Sequence, residues 1–171
     1  YLISTGAELK LLADNSRAAG LGSCYVKLTN DIVLNDGTFD KSGAFTKRGG
    51  VTIASPPNEW LPMGEASWHI DGNGHSISGM YINRNDAMVG LISEIKDGGY
   101  IRNLTIKDSY VTSSQAPKSY KGYIGVFAGQ SSRTSFTNCA GENNIAVTNN
   151  CYLTGGIVGW AYRNDEFNGV H

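Results

Sequence analysis

Three glycine-anchored apolar segments recur along this chain: Val89-Gly90-Leu91-Ile92, Ile124-Gly125-Val126-Phe127-Ala128-Gly129 and Gly155-Gly156-Ile157-Val158-Gly159. Their anchors Gly90, Gly125 and Gly156 stand 35 and 31 residues apart. A repeat of that length cannot bury an apolar face alone and does so against its neighbours, which is the logic of a solenoid. A shift of 35 residues also sets Ile101 on Phe136, Asn103 on Asn138 and Leu104 on Cys139. On this alignment Cys139 is a core position. Asn103 and Asn138 fall at corners, where a short amide side chain stabilises a turn. Residues 101–111 alternate, with Leu104 and Ile106 on one face and Thr105 and Lys107 on the other, as a half-buried strand does.

Composition fits this pattern. Twenty-two glycines and 9 tyrosines accompany only 17% charged residues, a balance suited to many short strands joined by tight turns. One helix stands out. Thr5 with Glu8 three residues on forms a capping box, Leu9, Leu12 and Ala13 give an apolar face, and Gly20 is a plausible stop. A solenoid end exposes apolar side chains and strand edges, so a terminal amphipathic helix reads as a cap. The expected fold is therefore all-β, a right-handed parallel β-helix of about five or six coils with an N-terminal capping α-helix. Residues 1–171 form a single domain: 1–20 the helical cap, 21–171 the coils. An irregular insertion near 35–65 holds one short strand at 51–53. The chain opens inside a patterned segment and stops with a repeat begun, so it is expected to be a fragment of a longer protein.

The helix segment Tyr1-Leu-Ile-Ser-Thr-Gly-Ala-Glu-Leu-Lys-Leu-Leu-Ala13 is followed by Tyr25-Val-Lys-Leu-Thr-Asn-Asp-Ile-Val-Leu34 and Asp71-Gly-Asn-Gly-His-Ser-Ile-Ser-Gly-Met-Tyr-Ile-Asn83. Together with the glycine segments, this order resembles bacterial surface proteins that carry GLUG-motif repeats. The resemblance implies a β-helix within a large secreted or surface-anchored, adhesin-like protein, located extracellularly or on the bacterial cell surface. It carries over no catalytic residue, because the motif describes a scaffold.

Little in the chain points to a reaction. His69, Asp71 and His75 are the one cluster with metal-ligand character, but Asp71-Gly72-Asn73-Gly74 reads better as a turn that His75 braces. The same turn lacks the spacing and following helix of a phosphate loop. Acidic groups are too sparse for a calcium loop. Glu94, Asp97 and Asp108 near Arg102 leave a polysaccharide lyase or hydrolase as a third reading, on fold analogy alone. No metal and no cofactor is expected. Fourteen basic and fifteen acidic residues give a formal charge of −1, so nothing recruits nucleic acid. There is no run of 18 apolar residues, so no membrane insertion by this segment is expected. Cys24, Cys139 and Cys151 are too few and too far apart for a zinc module.

The functional hint lies in the tyrosines, whose amphipathic rings anchor sugars or protein partners. Tyr110, Tyr120 and Tyr123, bracketing an extended 113–123 loop, are the candidate ligand-binding residues. The leading expectation is a non-catalytic adhesin-like module that binds a glycan or a host or other extracellular protein. A structural stalk, or a subunit that self-associates end to end into a filament, is the alternative.

Overall fold

The computed structural model describes residues 1–19, 22–114, 122–148 and 153–171. The helix Gly6–Ala19 begins at the expected capping box. Glu8 N–H donates to Thr5 Oγ1 at 3.2 Å, while Thr5 N–H and Ser4 N–H both donate to Glu8 Oε2, at 3.0 and 2.7 Å. Leu9, Leu12 and Ala13 are buried in the core and Leu11 is left in solvent, so only one stripe of the helix packs. Ser16 fixes the far turn: its Oγ accepts from Gly64 N–H at 2.9 Å and donates to the Ala13 carbonyl.

The other elements among the described residues are strands joined by turns, and most of them pair in parallel. The main sheet runs in the order Leu2–Ile3, Ser23–Leu28, Ser67–Asp71, Tyr100–Lys107, Ser135–Glu142 and Glu166–Asn168, with the short strands Ile32–Val33 and Ser76–Ser78 paired alongside. Three further three-stranded parallel sheets are built from the segments between its strands. From Ser67 onward the chain leaves the main sheet, visits the other three in a fixed order and returns to pair beside its previous strand. The register follows the 35-residue shift, with Ile101 on Phe136 and Leu104 on Cys139. Like residues stack on like: Val26, Ile70, Ile101, Phe136 and Phe167 form one inward column, closed by parallel Phe136 and Phe167 rings 5.1 Å apart. Cys139 is fully buried, and burial pushes its thiol up to about 11.

Corners rest on Asn. Asn103 and Asn138 hold φ of 52° and 51°, the left-handed region that Asn tolerates better than most residues. Asn138 Nδ2 donates to Asn103 Oδ1 at 3.3 Å, so one corner braces the next. The glycine column is offset by one residue from the sequence expectation in its last repeat. Val89 pairs with Ile124 and Gly125 with Gly155, so Gly155, not Gly156, stands on Gly125. The reason is close approach: a Cβ on Gly125 would lie 2.5 Å from Gly159 N and 2.7 Å from Val158 Cα, whereas one on Gly156 would meet nothing.

Residues 35–65 are more ordered than expected. Gly37–Phe39, Phe45–Lys47 and Thr52–Ile53 make an antiparallel meander; its Gly and Asp residues form turns between strands instead of a long irregular loop. Phe39 docks it on the body, 5.5 Å from Tyr81 and 6.0 Å from Tyr110.

Candidate ligand-binding face

Alternation along Ser23–Leu28, and over Tyr100–Arg102 and Ser135–Thr137 ahead of the Asn corners, sends one set of side chains inward and the other toward solvent. In Ser23–Leu28 the inward set is Cys24, Val26 and Leu28, leaving Tyr25 and Lys27 outside. Parallel pairing then lines the outward residues into two columns. One runs Tyr25, His69, Tyr100, Ser135, Glu166, and the other Lys27, Asp71, Arg102, Thr137, Asn168.

Tyr25 stacks on His69 with ring centres 4.3 Å apart and 16° between planes, and His69 lies 5.0 Å from Tyr100. The Arg102 guanidinium sits 5.1 Å over the Tyr100 ring. Its Nη2 also donates to Asp71 Oδ2 at 2.9 Å, so the cation is held in one place by a ring and a carboxylate. Asp71 also accepts from Asn73 N–H at 2.9 Å and Asn103 Nδ2 at 3.2 Å. Burial pushes the Asp71 carboxyl up, but these hydrogen bonds and Arg102 outweigh it and hold the group below the usual range. His69 Nδ1 is buried with no hydrogen-bond partner among the described residues, and burial lowers the imidazole below its ordinary 6.5. His69 therefore serves at neutral pH as an uncharged aromatic spacer between two tyrosines. Tyr25 is 62% exposed, and the face is a shallow, open surface of anchored polar groups and ring rims.

The sequence-expected residues fall elsewhere. Tyr110 and Tyr123 are each 5% exposed, so neither ring forms the open platform anticipated for it. Tyr110 stacks on Tyr81 at 5.8 Å and is covered by Phe39 of the meander; Tyr123 packs 4.8 Å from Trp160. Tyr120 lies outside the described residues. His75 faces Asp31 at 3.5 Å while Asp71 faces Arg102, and among the described residues no three His, Cys, Asp or Glu side chains converge on a metal-sized space. The carboxylates weighed for catalysis part company too. Asp97 pairs with Arg133, Asp108 accepts from Asn143 Nδ2 at 3.4 Å, and Glu94 accepts from Gln130 Nε2 at 3.4 Å. Burial raises the Glu94 carboxyl, with Glu65 adding to it. The sequence singles out Tyr100 only as one of many aromatic residues and Arg102 only beside carboxylates, and it does not single out Tyr25. The available signal was a Tyr or His two places before Lys, Asp or Arg in three successive main-sheet strands.

No family model matches the chain, and no solved structure does. Two proteins are similar over part of their length. A protein of Evansella cellulosilytica named as a Gly-rich membrane protein is 36% identical over 123 residues, which is 68% of this chain and 12% of that protein. Halomucin of Haloquadratum walsbyi is 37% identical over 91 residues, 53% of this chain and 1% of that protein. The chain thus spans a small part of either relative. Among the described residues no helix is long and apolar enough to cross a membrane.

Proposed function

We propose that this chain is a non-catalytic module of an extracellular or cell-surface protein, a right-handed parallel β-helix of the GLUG-repeat kind, that binds a glycan on the outward face of its main sheet. The architecture is supported by the fixed order in which the chain revisits its four parallel sheets, and the hand by the preference of parallel crossovers. The surface location is supported by the names of the two similar proteins. One observation carries the binding role: the Tyr25–His69–Tyr100 stack with Arg102 clamped between Tyr100 and Asp71. Hydroxyl-rich ligands need hydrogen-bonding groups that are already fixed beside aromatic surface, because ordering long side chains on binding costs affinity.

The test is a glycan array probed with wild-type chain and with Tyr25→Ala and Arg102→Ala. Selective binding that both substitutions weaken supports the reading, and binding that neither touches moves the site elsewhere. The alternative is a stalk whose repeats only add length. It is favoured by corner devices that recur in each repeat, Asn103 on Asn138 and Gly125 on Gly155. A blank array together with no binding to extracellular proteins would select the stalk.

A further inference from the structure

We infer that the ligand of this face is an extended, uncharged polysaccharide lying across the strands, about one sugar residue per strand. The inference rests on the glycan-binding reading and names its substrate class and direction. Lys27, Asp71, Arg102, Thr137 and Asn168 stand on five successive in-register parallel strands. Hydrogen-bonded strands are about 4.8 Å apart, so the column is about 19 Å long. That interval is close to the advance of one residue in an extended, equatorially linked pyranose chain, so hydroxyls of successive sugars meet successive strands. Running along a strand offers much less. Outward residues there recur only about every 7 Å, and the Ser67–Asp71 strand ends at Asp71, giving way to the turn at Asn73.

Charge selects within the polysaccharides. Lys27 and Arg102 are balanced by Asp71 and Glu166 on the same two columns, and His69 is held neutral by burial. A polyuronate or sulfated chain would meet a carboxylate wherever it met a cation. A neutral chain meets alternating donors and acceptors, which suits hydroxyl groups that do both.

The experiment is calorimetric titration of the chain with β-1,4-linked glucose and N-acetylglucosamine oligomers of two to six residues, and with a polyuronate of matched length. Affinity should climb with each added sugar to about five residues and then level. Lys27→Ala at one end of the column, and Thr137→Val one strand short of the other, should each weaken the pentamer by about tenfold at most and leave the dimer nearly unchanged. Gln130→Ala, on a different sheet, should change nothing. Far-UV circular dichroism of each variant separates lost binding from lost fold. A dimer that binds as tightly as the pentamer, or a polyuronate that binds more tightly than both, overturns this inference while leaving glycan binding intact. No binding by any oligomer or by any glycan of the array overturns the underlying reading as well.

Discussion

Gly125→Ala adds a single methyl group and should be among the most damaging substitutions in the molecule. The new Cβ would stand 2.5 Å from Gly159 N and 2.7 Å from Val158 Cα, and closer still to the Ala128 carbonyl oxygen. Ordinary contact needs about 3.5 Å, and all three neighbours are backbone, which cannot rotate away as a side chain does. Relief requires the backbone segments around Gly125 to move apart, lengthening the hydrogen bonds that pair Gly125 with Gly155. Overpacking of this kind costs about 3 kcal/mol, and in a chain of this size each kcal/mol moves the midpoint by about 2–4 °C. A drop of about 6–12 °C is therefore expected in a thermal melt followed by circular dichroism. Gly156→Ala is the matched control, since its Cβ would meet no atom within 4 Å, and should stay within about 1–2 °C of wild type. If Gly156→Ala were the damaging one and Gly125→Ala harmless, the assigned register of the glycine column would be wrong.

Other outcomes follow from the same geometry. Thr5→Ala removes one half of the capping box and should cost about 1 kcal/mol in denaturant unfolding. Because hydrogen bonds from Ser4 lower the Glu8 carboxyl below 4.5, the stability this group contributes is present above about pH 4.5 and is lost as pH falls further. His69 acts over a higher window. Its folded imidazole lies below 6.5, so the unfolded chain binds the proton first and stability falls as pH drops from about 6.5 toward the folded-state value. His69→Phe should flatten that arm, read as a smaller loss of melting temperature between pH 7 and about pH 5; an equal loss in both proteins would refute it. Cys139, with its thiol pushed up to about 11 inside the core, should resist a thiol reagent at pH 8 until denaturant is added, as mass spectrometry of the labelled peptide would show. Phe39→Ala should release the meander from Tyr81 and Tyr110, raising amide exchange across residues 37–53 while residues 100–107 stay protected.

Much of the fold was legible because it repeats. The 35-residue shift alone placed Ile101 on Phe136 and Leu104 on Cys139, since in-register parallel strands set like on like. The sequence places Asn103 and Asn138 at corners as side chains that stabilise a turn; in the structure they do so through left-handed backbone and a side-chain bond from one Asn to the next. The one-residue error at Gly155 arose because two adjacent glycines look alike in sequence, and only the backbone packing around them tells which is obligatory. The candidate site was read less well. Tyr110 is a candidate in sequence by its ring alone; its cover in the structure includes Phe39, some 70 residues earlier in a segment with no regular pattern. His69 drew attention as a metal ligand, whereas its neighbours across the sheet, Tyr25 and Tyr100, make it part of an aromatic stack. Such neighbours are invisible until register is known, because they lie 44 and 31 residues away.

The most direct test is a backbone NMR titration of the isotope-labelled chain with a neutral β-1,4-linked pentasaccharide. Shifts are expected at residues 25–27, 69–71, 100–102, 135–137 and 166–168 together, five strands of one face moving with one binding constant. Shifts confined to residues 153–162 around Trp160, or a spectrum unchanged at millimolar sugar, would contradict it.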